Sequence, residues 1–153
     1  MNKFIAALTA FILIFNFPII ANASGTNPSD MINSYENSET TDLGNGLIIK
    51  YKTTEITSNA RATVQKAVKT ADCEFEGKII ATLKLTATFS YTGSSATCTS
   101  ASVSSITYDG WICSDKKVTR SGNSAIATAT VSKGSHKFNI KVTMSCSPSG
   151  SIS

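Results

Sequence analysis

The chain has 153 residues, with 14 basic and 10 acidic side chains, one histidine and four cysteines, for a formal net charge of +4. One histidine cannot build a multi-histidine metal site, and so small a charge excess argues against a nucleic-acid-binding arm. Charged residues make up 16% of the chain and hydrophobic ones 41%, which excludes wholesale disorder.

Residues 1–23 read as an export signal. Lys3 supplies the positive start, Phe4 to Phe17 is an uncharged apolar run, Pro18 breaks it, and Ala21-Asn22-Ala23 is a small-x-small cleavage pattern. The run is shorter than the ~20 apolar residues that cross a bilayer, so no membrane span is expected. Residue 24 is Ser, which offers no thiol for a lipid, and Ser147 to Ser153 lacks the hydrophobic tail of an anchoring signal. The expected product begins at Ser24 and is secreted to the extracellular space.

Residues 24–45 carry Asp30, Glu36, Glu39 and Asp42 and no basic residue. With their Asn, Ser, Thr and Gly content they read as an acidic flexible linker. Residues 46–153 carry 13 basic and 6 acidic groups and form the expected domain. Ser and Thr account for 41 of the 130 residues after the signal. Thr suits a half-exposed sheet face, but many of the remaining core candidates are Ala, so the core should be thin.

Leu47–Ile56 reads as a first strand. Ala60, Val64, Ala67, Val68 and Ala71 fit helical spacing, yet Arg61–Phe75 also reads as a strand pairing with Ile79–Tyr91 across Glu76-Gly77. Its β-branched content and strand-rich neighbours favour the strand. From Ile79 to Tyr91 the odd positions are apolar and the even ones include Thr82, Lys84, Thr86, Thr88 and Ser90, the period-two mark of one buried face. Thr92-Gly93-Ser94-Ser95 then turns the chain into Ala96–Val103. Tyr108-Asp109-Gly110 and Arg120-Ser121-Gly122-Asn123 mark further reversals. Ala125, Ala127, Ala129 and Val131 form a small-toothed apolar row, and a hairpin at Ser132–Ser135 leads to His136–Cys146. There Phe138, Ile140, Val142, Met144 and Cys146 face one way and Lys137, Asn139, Lys141 and Thr143 the other. The expected fold is all-β: a mostly antiparallel, immunoglobulin-like β-sandwich of about seven strands.

Four cysteines in an exported domain favour two disulfides with three possible connectivities. Cys98 and Cys146 each sit near the end of a strongly patterned strand, which favours Cys98–Cys146 and leaves Cys73–Cys113. The gaps of 25, 15 and 33 residues do not fit a zinc site, which needs close ligand pairs. A cysteine nucleophile at Cys146 served by His136 and Arg120, as in sortase-like enzymes, fails on distance: ten residues of strand separate His136 from Cys146 by about 33 Å. Asp109 and Asp115 read as loop carboxylates, His136 as a solvated turn residue, and Trp111, Tyr91 and Tyr108 as core aromatics. No phosphate loop, zinc-protease helix or nucleophile elbow occurs. Neither an enzyme nor a bound cofactor or metal is expected.

Basic side chains are the remaining surface feature. Lys137 and Lys141 fall on the outward face of the last strand with Lys133 at its turn, and Lys116, Lys117 and Arg120 gather near another. Such a face can keep sheet edges apart or attract an anionic envelope polymer or membrane surface.

Phe89-Ser90-Tyr91-x-Gly93, Cys98-Thr99-Ser100-Ala101, Gly110-Trp111, Arg120-Ser121-Gly122-Asn123 and Ser145-Cys146-Ser147 together resemble small exported β-sandwich proteins of Gram-positive bacteria, a group of unknown function. The likeness spans residues 79–153. It implies a sandwich pinned by Cys98–Cys146, with Cys73 and Cys113 extra to the pattern, and carries over no catalytic or binding residue. The expected role is a secreted binding or surface-interaction module that contacts an anionic cell-envelope polymer or a surface protein, with Lys133, Lys137 and Lys141 as the contact. The alternative is a small secreted antibacterial or toxin-like protein acting on a cell envelope.

Overall fold

The computed structural model describes residues 36–56 and 63–153. Among these residues eight antiparallel strands follow in chain order: β1 (Glu36–Asp42), β2 (Leu47–Ile56), β3 (Val64–Phe75), β4 (Lys78–Tyr91), β5 (Ala96–Thr107), β6 (Ile112–Ser121), β7 (Ser124–Lys133) and β8 (His136–Ser145). The first five form one sheet and the last three another. β7 and β8 pack over β3, β4 and β5, while β6 runs beside β5. The ambiguous segment is a strand from Val64 onward; Ala60 and the proposed signal lie outside the described residues. No helix among the described residues is long and apolar enough to cross a membrane.

Two features differ from the expected fold. Every ladder joins strands consecutive in sequence, so the sheets are two meanders, without the Greek-key connections of an immunoglobulin domain. The eighth strand is β1, which pairs with β2 from Glu36↔Thr54 to Asp42↔Ile48. Residues 36–42 of the stretch read as a linker are therefore edge strand. Their polar composition hid them, because an edge strand with little buried surface needs no apolar row.

Alternation is otherwise followed closely. Leu83, Leu85, Ala87 and Phe89 of β4 meet Ala125, Ala127, Ala129 and Val131 of β7 and Ile140, Val142 and Met144 of β8 in one buried core. The small β7 row lets the sheets approach, and the large side chains on β4 and β8 fill the space between them. Bulges interrupt the ladders. Cys73 pairs with Ala81 but Glu74 with Ile79, so Ile80 is the extra residue. The parity shift puts Ile80 inside at 3% exposure and Ile79 outside at 47%, the reverse of the simple odd-even reading.

The C-terminal residues close the other end. Ser145 and Ser153 exchange both backbone hydrogen bonds, and the Gly93 N–H donates to the Pro148 carbonyl at 3.0 Å. Gly150, at φ +93°, lies flat against Tyr91; a Cβ there would meet the ring at 2.6 Å. Only glycine fits both the left-handed backbone and this approach.

A thin core makes each large side chain count. Phe89 is the largest fully buried one, so Phe89→Ala should cost about 3–5 kcal/mol. Ile112 is 64% exposed, and Ile112→Ala should stay within about 0.5 kcal/mol of the parent. Urea unfolding of both variants checks the contrast.

Candidate functional site

The four cysteines are free thiols, which overturns the expected disulfides. Each buried thiol turns to a nearby carbonyl instead. Cys98 Sγ donates to Ser100 O at 3.3 Å, Cys146 Sγ to Ser147 O at 3.4 Å, and Cys73 Sγ to Ala71 O at 3.9 Å. An even count of cysteines says nothing about whether the Cβ geometry for a bond is met.

The segments expected to be bridged are nonetheless joined, by hydrogen bonds. The turn at Gly122 and Asn123 lies between them: Cys98 N–H donates to Gly122 O at 2.8 Å, and Cys146 N–H to Asn123 O at 3.0 Å. Asn123 Nδ2 donates back to Cys146 O at 2.8 Å, and Arg120 donates to the Thr99 carbonyl. Arg120 thus serves β5 and sits beside Cys98, where its charge opposes the rise in thiol pKa that burial causes. Burial also raises Cys146, reinforced by Glu55. Cys73 is pushed up to about 12 by burial, then by Asp72 and Cys113. No thiol in this set is activated, and His136 stands at the opposite end of β8 from Cys146.

Three polar surfaces surround this scaffold. The first is the outer face of the three-stranded sheet. Register aligns Lys117, Thr128 and Lys141 in one row across β6, β7 and β8, and Lys137 lies beside Ser132 on the same face. None of these lysines has an ion-pair partner among the described residues. The outer face of the five-stranded sheet is different: it mixes Lys50, Lys52 and Lys84 with Asp72 and Glu74, and Lys50 pairs with Glu74 at 2.5 Å. A bulge at Asp115 and Lys116, between the Ser114 and Lys117 pairings, separates Lys117 from its sequence neighbour. That irregularity is why alternation alone did not place Lys117 with Lys141. Lys133 departs from the row: its Nζ donates to the Asp109 carbonyl at 2.6 Å.

The second surface is where the inner face of β1 and β2 runs out from under the smaller sheet. Asn37, Glu39, Tyr51, Thr53, Glu55 and Lys69 line a cleft of about 140 Å³ there. Tyr51 Oη donates to the Lys141 carbonyl at 3.2 Å, and Lys69 Nζ lies 5.8 Å from the Tyr51 ring centroid. Burial, then the Cys73 and Glu39 charges, raise the Tyr51 pKa. Glu55 is already engaged, by Gln65 Nε2 at 3.1 Å and the Ile152 N–H at 3.3 Å.

The third is a cavity of about 300 Å³ at the end of the sandwich that carries the β3–β4, β5–β6 and β7–β8 turns. Phe75, Trp111 and His136 wall it, with Ile80 beneath. Trp111 is 7% exposed, a core aromatic as expected, and meets Phe75 edge-on at 5.7 Å and Phe138 stacked at 5.8 Å. His136 is solvent-exposed but its ring packs 5.0 Å from Phe75. Tyr91 is half-buried, whereas Tyr108 is exposed, against its reading as core. Asp109 occupies a left-handed turn at φ +50° and Asp115 its bulge at +51°, places for loop carboxylates rather than an acid–base pair. Among the described residues no group of His, Cys, Asp and Glu is arranged to hold a metal ion.

No family model, curated protein or solved structure matches this chain.

Two thiol measurements follow. Unfolding in urea without reductant should expose four titratable thiols per chain; fewer would show cross-links. Cys73 also ties stability to alkaline pH. Its folded pKa of about 12 lies above the ordinary value of 9.0, so the unfolded chain loses this proton first. Its contribution is intact below pH 9 and is lost towards pH 12, at a slope approaching about 1.4 kcal/mol per pH unit. Cys73→Ala should show a shallower decline of the urea midpoint across that window.

Proposed function

We propose that this is a secreted, non-enzymatic binding module that holds an anionic cell-envelope polymer against the outer face of its three-stranded sheet. The observation that carries the reading is the Lys117–Thr128–Lys141 row with Lys137 on the same face. Two strand spacings set the cross-strand lysines roughly 10 Å apart, and four residues along β8 set Lys137 roughly 13 Å from Lys141. These separations exceed the ~8 Å screening length at physiological salt, so the lysines repel one another weakly and each can meet a separate anionic group. Thr128, Asn139 and Thr143 between and beside them offer polar contacts on a surface fixed by two ladders. The export signal read in residues 1–23 supports an extracellular setting, and the resemblance to exported Gram-positive sandwich proteins agrees with it. Lys133 is placed with the end cavity.

The test is binding of the secreted chain to a purified phosphate-bearing wall polymer, with long-chain polyphosphate as a defined stand-in. Affinity should fall steeply as salt is raised. Lys117→Gln, Lys137→Gln and Lys141→Gln together should weaken it about tenfold to a hundredfold, on the scale of polybasic segments at anionic surfaces. The triple variant should melt with the parent, because none of the three is in the buried core. Salt-independent binding, or unchanged affinity in the triple variant, overturns the reading.

A further inference from the structure

The two sheets present four edge strands, β1, β5, β6 and β8, and three of them are blunted. β1 is short and wholly polar, with three acidic residues in seven. β5 carries an extra residue at Thr99, since Thr88 pairs with Ser100 but Phe89 with Cys98, and β6 is bulged at Asp115 and Lys116. Short polar strands and bulges keep an edge from pairing. β8 has neither: its ten residues hold an unbroken register with β7 and contain no proline. Its open side follows from two neighbours. Cys146 directs both backbone groups to Asn123, towards β7, whereas Ser145 exchanges both of its bonds with Ser153 on the other side, at 2.9 and 3.0 Å. Lys137, Asn139, Lys141 and Thr143 share the parity of Ser145, so their N–H and C=O groups point out of the sheet. Among the described residues only the Tyr51 hydroxyl meets this row, at the Lys141 carbonyl.

The geometry points to the β8 edge as the docking site for an extended acidic polypeptide segment, which adds to the smaller sheet as a fourth strand. The chain's own Ser151–Ser153 shows the mode. It lies antiparallel to the end of β8 through the Ser145–Ser153 bonds and the Cys146–Ile152 bridge. The cleft of about 140 Å³ adjoins Ile152 and Ser153 and runs over Tyr51, Thr53 and Glu39. One added strand needs about 4.8 Å of the ledge that β1 and β2 form there. A second copy is excluded, because two β8 edges could meet only if both overhangs filled the same space. Charge selects the sequence. Directly opposed residues of an antiparallel pair share a face, so partner residues opposite Lys137 and Lys141 stand beside ammonium groups on the outer face, and carboxylates belong there. Basic segments are refused by the same two lysines. The residues between turn inward over the ledge beside Tyr51, where β-branched side chains suit a half-covered strand. Main-chain bonds then give affinity, and alternate side chains give specificity.

The probe is the labelled, end-capped heptapeptide Thr-Val-Glu-Val-Thr-Val-Glu, which sets its carboxylates opposite Lys141 and Lys137. Its fluorescence anisotropy with the whole chain should rise saturably. In this register the central Thr and the last Glu donate their amide N–H groups to the carbonyls of Asn139 and Lys137. N-methylation of those two amides should weaken binding about tenfold to a hundredfold. N-methylation of the second and third Val, whose amides point away from β8, should leave it within about twofold. Replacing both Glu with Gln in the peptide should weaken binding about threefold to tenfold, and Lys137→Gln with Lys141→Gln should remove that difference. Asn139→Pro takes an outward N–H from an edge, where proline is tolerated, and should abolish binding. Asn139→Ala loses the same side-chain bond to Thr130 but keeps the N–H, and should bind as the parent does. The N-methyl comparison leaves the protein unaltered, so it decides even where the proline variant fails to fold. The inference fails if the two methylated peptides bind alike or if the Gln peptide binds as tightly as the Glu peptide. It also fails if the chain is a dimer that Asn139→Pro disperses. None of these outcomes depends on polyphosphate binding.

Discussion

The inner face of the five-stranded sheet is wider than the three-stranded sheet that packs on it, and the polar architecture follows from that mismatch. At about 4.8 Å per strand, two unmatched strands leave a ledge roughly 10 Å wide. The overhang falls on β1 and β2, where inward positions turn polar: Glu39, Tyr51 and Thr53 replace the apolar row of Leu47 and Ile49. The C-terminal residues cap part of this ledge through Ile152 and Glu55. Where the sheets do overlap, alanines on β7 and larger residues on β4 and β8 make a dry core. Hydrophobic burial is therefore confined to the overlap, and each exposed face beyond it is free to carry charge.

Much of this is legible in the amino-acid sequence. Strict alternation in Ala81–Phe89, Ala125–Val131 and His136–Cys146 marks a buried row and a wet row, because one face of each strand meets water and the other does not. Turn residues at Gly93, Gly110, Gly122 and Gly134 all take positive φ, so the reversals could be read from composition. What alternation cannot show is a change of phase. Ile80 and the Asp115–Lys116 bulge each shift parity, and no residue type announces either. The polar strand β1 was missed for a different reason: its stability comes from its ladder to β2, which leaves no hydrophobic trace.

The cysteines show how a correct neighbourhood can carry a wrong bond. Their strand-end positions favour pairing Cys98 with Cys146, and both do flank the Gly122–Asn123 turn. Four hydrogen bonds meet there, one of them from the Asn123 side chain and one from Arg120. Each net hydrogen bond contributes about 1 kcal/mol, so the set is comparable to a modest cross-link. Sequence spacing locates which segments meet, whereas the nature of the tie depends on side-chain direction, which spacing does not encode.

The bulges that defeat simple reading are also what shape the basic face and the end cavity. Without the extra residue at Ile80, parity would bury Ile79 and turn Ile80 to solvent; with it, Ile80 floors the end cavity and Ile79 stands on its outer margin. On β6 the bulge at Asp115 and Lys116 absorbs one residue, so that Lys117 returns to the outer face opposite Thr128 and joins Lys141. In register without a bulge, Lys117 would point at the core and Val118 at water. A bulge costs a ladder contact and re-aims every side chain beyond it. Here the re-aimed residues are those that distinguish a charged row and an aromatic-walled cavity from an ordinary sheet surface, which ties both features to the same local departure from regular β-structure.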